Sequence, residues 1–325
     1  MTTEPPTTSV GSSPIVHRLT AGSGRSTEMD TSSPSGNESE HGTRLYCVIS
    51  HFSHDDPVVY PGRPGAAHAH MFWGNTETNA YSTGRSLMAS GNSSCEGGIN
   101  NRSSYWAPAL FNQADEVVIP ETVFVYYKSF GGPGFDRSTI QPIPAGLEML
   151  ASRDVPNSGP WNFTVGGSSS VNLNVSFPVC VQVDRNGSPV LASADNVSHL
   201  SYATNGGTSN SCPASHPYRI PQLIYVLRYD IPFSSGWSLA SDTSSSQKGE
   251  SLHADYIAAW DPATMDHLVD CNILAKRNCS FYGGRGQLPE RFLAPDGTQI
   301  YSSGVELAPQ ADRTPFGIAI GRFTP

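Results

Sequence analysis

Charge is scarce in this sequence. Asp, Glu, Lys and Arg make up 14% of its 325 residues, and lysine occurs only at Lys128, Lys248 and Lys276. With a formal charge of −9 and no basic stripe, the chain would repel backbone phosphates, which argues against nucleic acid as a partner. The shortage of lysine likewise excludes a polybasic membrane patch. Long apolar runs are missing: no stretch can span a bilayer, and Met1 to Gly24 holds no apolar segment of the signal-peptide kind. No C-x-x-C pair occurs, which disfavours a structural zinc site. Without a G-x-S-x-G elbow, a P-loop or a G-x-G-x-x-G after a strand, serine esterase, nucleotide and dinucleotide chemistry fall away.

The chain is instead rich in turn formers, with 31 glycines and 26 prolines against 37% hydrophobic residues. That balance predicts an all-β fold, an antiparallel β-sandwich or jelly roll with long loops and one or two short helices. Residues 1–43 are Ser, Thr, Pro, Gly and Glu with hardly an apolar cluster, and read as a disordered tail. A single β-rich domain is expected over 44–325. Strand signals include R-L-Y-C-V-I-S from Arg44, the run from Glu116 to Phe130 interrupted by Pro120, the alternating V-N-L-N-V from Val171, and R-I-P-Q-L-I-Y-V-L-R-Y from Arg219. The segment from Ser251 is ambiguous between strand and helix. One clear helix signal follows, with Asp261 as cap, Pro262 in the first turn and Met265, Leu268 and Val269 on one face. A closing hairpin is expected to turn at Pro295-Asp296-Gly297.

The six cysteines suit three disulfides in an oxidising compartment, so secretion is expected. Pairs of neighbours are favoured: Cys47 with Cys95, Cys180 with Cys212, and Cys271 with Cys279. Seven N-x-S/T sequons, at Asn37, Asn92, Asn101, Asn162, Asn174, Asn196 and Asn278, are compatible with that setting.

Chemistry concentrates between His51 and Asn75, which holds four of the ten histidines. In A-A-H-A-H-M-F-W a strand would place His68, His70 and Phe72 on one face. Two imidazoles so placed can share a metal ion, copper or zinc, given further ligands from among His54, Asp55, His199 and His253. They can equally be packed histidines satisfied by hydrogen bonds. In S-L-H-A-D-Y, a strand would put Asp255 beside His253, where a carboxylate can orient a general base; an exposed polar face is the plainer alternative. Asp55 and Asp56 could form a catalytic carboxylate pair, or one of them accepts hydrogen bonds in the turn at Pro57. Arg102, Tyr105 and Trp106 could hold a sugar, or be core aromatics and their neighbour. Lys128 is more simply a solvated strand end than a catalytic amine.

The runs D-D-P-V-V-Y-P-G-R-P-G-A-A-H-A-H-M-F-W-G-N-T, C-E-G-G-I-N-N-R-S-S-Y-W-A-P-A-L, V-Y-Y-K, S-H-L-S-Y, C-P-A-S-H-P-Y-R-I-P-Q-L and H-A-D-Y-I-A-A-W-D occur in this order. From about Tyr46 to Cys271 they resemble a family of secreted fungal and actinobacterial proteins known as domain of unknown function nineteen-ninety-six. The resemblance implies an extracellular protein of the kind often joined to WSC or carbohydrate-binding modules. Its motif positions fall on Asp55, Asp56, His68, His70, Asn75, Arg102, Tyr105, Trp106, Lys128, His199, His216, His253, Asp255 and Asp261. The chain departs from the pattern after F-P-V-C, where V-Q-V-D-R-N-G replaces a W-D-G-type run, and at Trp73, where phenylalanine is commoner.

Three functions are therefore expected in turn. The first is cleavage of an extracellular or cell-wall polysaccharide, by hydrolysis or β-elimination. Its catalytic group would be His68, His70, Arg102, Tyr105, His253 and Asp255, with His253 as base, Tyr105 or His68 as acid and Arg102 neutralising charge. Asp55, Asp56, Asn75, Trp106, Lys128, His199, His216 and Asp261 would bind substrate. The second is non-catalytic binding of copper or zinc at His68 and His70. The third is a carbohydrate-binding module.

Overall fold

A computed structural model describes residues 42–129, 135–204, 211–243 and 247–276. Most of the expected tail, the hairpin at Pro295 and Cys279 lie outside the described residues.

Among the described residues, sixteen strands form four sheets whose pairings are antiparallel. The first large sheet has the order Gly42–Cys47, Thr122–Lys128, Gln222–Tyr229, Val171–Ser176 and Phe163–Gly166. Buried and half-buried residues alternate along its central strands, as the period of two in V-N-L-N-V and V-F-V-Y-Y requires when one face is in the core. Pro120 separates Val117–Val118 from Thr122–Lys128, since proline donates no ladder hydrogen bond. Gly42 and Thr43, which the expected tail included, pair with Lys128 and Tyr127.

The second large sheet has the order Ile49–Ser53, His70–Gly74, Ser104–Pro108, Ala254–Ile257 and Glu148–Ala151. The ambiguous segment after Ser251 is thus a strand, two places from His70–Gly74. The chain passes from the first sheet to the second across Val48 alone. Packed face to face, the two sheets form an all-β sandwich, with Trp73 against Tyr225 at 5.0 Å and Tyr105 against Tyr225 at 5.9 Å. Buried hydroxyls tie the layers together: Tyr105 and Tyr127 lie 3.0 Å apart, and Tyr225 donates to the Asp255 carbonyl at 2.8 Å.

The three middle strands of the second sheet, His70–Gly74, Ser104–Pro108 and Ala254–Ile257, are buried on both faces, because the long segments after Ser53 and Gly74 fold over the outer one. Gly74 ends its strand at φ +83°, where a Cβ would meet the Ser103 carbonyl oxygen at 2.1 Å, so only glycine fits. Two short α-helices, Gly84–Ala89 and Pro262–Leu268, lie among the described residues, the second capped by Asp261 as expected.

Cys47 is bonded to Cys95 and Cys180 to Cys212, both as expected. Cys271 is also disulfide-bonded, and Cys279 lies outside the described residues. The Cys180–Cys212 bond closes a span of 32 residues, so opening it should cost about 4 kcal/mol. Denaturant unfolding of the paired Cys180→Ala, Cys212→Ala variant is expected to show that loss. An unchanged midpoint would mean that the bond does not restrain the chain.

Candidate functional site

Strand parity decides what faces outward on the second sheet. His70 and Phe72 share a face with Trp106, and the register of Asp255 against Trp106 and Leu150, and of Ile257 against Glu148, puts those residues on the same face. Half of this covered face is apolar, built from Val58, Phe72, Leu87, Trp106, Ile257 and Ala259. The other half is polar. One ligand atom from each of His68, His70 and His253 lies within 4.8 Å of the others, and the same holds for Asp56, His70 and Asp255.

The turn at Asp55-Asp56-Pro57 positions this cluster. Asp55 accepts from Gly65 N at 2.9 Å and Ala80 N at 3.2 Å, clamping two loops. Asp56 Oδ1 accepts from Val58 N and Val59 N, the turn-acceptor role, while its carboxyl still belongs to the cluster. His68 sits just before the strand rather than on it, since pairing begins at His70. It reaches His70 all the same, with ring centroids 4.2 Å apart and His253 at 5.1 Å.

Hydrogen bonds fix where the ring protons are. His70 Nδ1 faces the Asp55 carbonyl at 3.1 Å, and His253 Nδ1 faces the Ser251 carbonyl at 2.8 Å. A carbonyl accepts only, so each Nδ1 carries the proton and each neutral ring keeps its lone pair on Nε2. The Nε2 atoms of His68 and His70 are buried and have no hydrogen-bond partner. Burial, reinforced by His253 and His54, pulls His68 down to about 3. Burial also lowers His70 and His253, so all three rings are neutral. The acids move the opposite way: burial raises Asp56 to about 6, and burial with the neighbouring Asp56 raises Asp255 and Glu148.

Several expected site residues are elsewhere. Asp255 does not orient His253; neither of its carboxyl oxygens has a partner, and the Ser251 carbonyl takes that role. Tyr105 points into the sandwich, one residue out of phase with Trp106, and its hydroxyl donates to Asn101 Oδ1. Arg102 donates to the carbonyls of Gly91 and Met88, which holds the end of the first helix. Asn75 is buried and donates to the carbonyls of Leu87, Ser90 and Arg102. Trp106 is a buried wall stacked on Phe72 at 5.5 Å. Lys128 lies on the first sheet over the Tyr126 ring at 5.1 Å. His199 bridges Ser193 and the Glu148 carbonyl, and His216 bridges Ser215 and the Ser198 carbonyl. Asp261 is a helix cap, accepting from Thr264. These are fold-determining contacts, made where polar side chains satisfy backbone groups under long loops.

Glu148 was missed by sequence reasoning, although the alternation in G-L-E-M-L puts it opposite two buried methionine- and leucine-type positions. His51 was noted only for its place in the histidine-rich stretch. It stacks on Phe72 at 4.7 Å, with Nδ1 2.7 Å from Ser50 Oγ.

A family model described as a domain of unknown function, DUF1996, matches residues 56–160 and 154–260. All five clustered side chains lie within that range. No curated protein and no solved structure matches the chain.

Proposed function

The chain belongs to the DUF1996 family, and from that premise we propose that it binds a transition-metal ion, zinc or copper, through His68, His70 and His253. One observation carries the reading: His70 and His253 each give their Nδ1 proton to a backbone carbonyl, which turns a lone pair on Nε2 toward a common centre. Backbone carbonyls hold metal-ligating imidazoles in this way. The unprotonated Nε2 atoms of His70 and His253 cannot bond each other, whereas one ion shared by the three imidazoles satisfies them. In a tetrahedral sphere they would close to about 3.3 Å of each other, as Zn–N bonds of roughly 2.0–2.1 Å require.

Three protein ligands leave a coordination position for water or substrate, and His68 and His253 are only half-buried, so the ion would face solvent on their side. The activity we propose is metal-assisted hydrolysis of an extracellular polysaccharide, with the ion replacing the His253–Asp255 acid–base pair. The disulfides support an oxidising, extracellular setting. No described helix is long and apolar enough to cross a membrane.

Elemental analysis of untagged protein should return about one zinc or copper per chain. A chelator should remove it and stop release of reducing ends from cell-wall glucans, mannans or chitin, and the ion should restore both. A metal-free chain that takes up neither ion from solution would sink the reading.

A further inference from the structure

We propose that a second cation, a hard divalent ion of the magnesium or manganese(II) class, binds between Asp56 and Asp255 beside the histidine position. This goes beyond the histidine reading and shares only the neighbourhood of His70 with it. Asp255 is fully buried, and neither carboxyl oxygen has a hydrogen-bond partner. Its charged neighbour is another carboxylate, Asp56, which in turn lies near Glu148. Asp56 is locked in place by the backbone N–H groups of Val58 and Val59, so it cannot swing away. Carboxylates withdrawn from water without partners are costly, and a cation between them offsets that cost.

The convergence of these side chains points to the same position. One ligand atom of Asp56 and one of Asp255 lie within 4.8 Å of each other and of His70, and all three residues are buried. His70 has a single lone pair, and the histidine ion takes it. The donors left for the second position are oxygens, and oxygen donors select hard ions that keep part of their water shell. The pair would be a two-ion centre with a nitrogen position and an oxygen position side by side.

The test uses the full chain, stripped by chelator and reloaded with zinc(II) alone, manganese(II) alone or both, with bound ions counted by native mass spectrometry. With both present, about one zinc and one manganese per chain are expected. Asp255→Asn should keep the zinc and bind manganese at least tenfold more weakly, whereas His253→Ala should lose the zinc and keep the manganese. Manganese that never joins the zinc-loaded chain overturns the proposal, and so does an Asp255→Asn chain that holds manganese as tightly as the parent. Manganese binding with no zinc uptake would sink the histidine reading and leave this one standing. If Asp255→Asn does not fold, the manganese count on the parent chain decides alone.

Discussion

Replacing His70 with alanine is expected to abolish tight ion binding, with zinc affinity falling at least about a thousandfold. Loss of an outer-shell partner already costs roughly 10–100-fold, and His70 is a direct ligand in this reading. It is also the one residue common to both clusters. Thermal unfolding separates this effect from a merely structural one. Saturating zinc at about a thousand times its dissociation constant stabilises a binding chain by about 4 kcal/mol. The parent chain should therefore melt markedly higher with zinc than without, and His70→Ala at one temperature in both. Without metal, the substitution frees one bond to the Asp55 carbonyl, worth about 1 kcal/mol. A zinc-dependent rise that survives in His70→Ala would remove the histidines from the site.

Glu96→Gln is expected to stabilise the protein, and increasingly so as pH rises. Glu96 is almost wholly buried; one carboxyl oxygen accepts from Tyr46 N at 3.0 Å and the other has no partner. Burial pushes its pKa up from 4.5 to about 8, against smaller opposing effects of Tyr46 N and Arg44. Below pH 4.5 both folded and unfolded chains hold the proton, and the group has no pH effect. Between 4.5 and 8 the unfolded chain loses its proton first, so the native state loses stability as pH rises. Above 8 the loss levels off, at about 5 kcal/mol by the conversion of 1.36 kcal/mol per pKa unit. Glutamine can still accept from Tyr46 N and never ionises. The variant should thus match the parent near pH 4.5 and melt on the order of 10 °C higher at pH 8. Equal melting curves at both pH values would place Glu96 in water when it ionises.

What was readable from the residues alone was local. Alternation in V-N-L-N-V marked a strand with one buried face because successive side chains must point to opposite sides. Pro120 marked a break because it has no N–H, and Asp261-Pro262 marked a helix start because a carboxylate can cap the first free N–H groups. Cysteines flanking one loop each were legible as pairs, since short closures are the easiest to make. The all-β class followed from few charges and many turn-forming glycines and prolines.

The site was only half legible for the same reason. His68 and His70 declared themselves by proximity in sequence, and their joint face was anticipated even though His68 lies outside the strand. Nothing local told Tyr105 from Trp106. A shift of one residue in strand phase exchanges core and outer face, and that phase came from pairing with His70–Gly74 and Ala254–Ile257. Likewise, Arg102 and Asn75 carry polar groups suited to a ligand, but loop carbonyls reached them first. The meeting of His253 with His68 and His70, and of Asp56 with Asp255, depends on Ala254–Ile257 taking its place between Ser104–Pro108 and Glu148–Ala151. Sheet order is a sum of many weak long-range contacts, which no single stretch of residues records. By itself, then, the sequence determined the strands, the caps and which residues can bear charge or bind an ion. Only the tertiary structure decided which of those residues share one buried space, because that depends on how distant strands are ordered and in what phase.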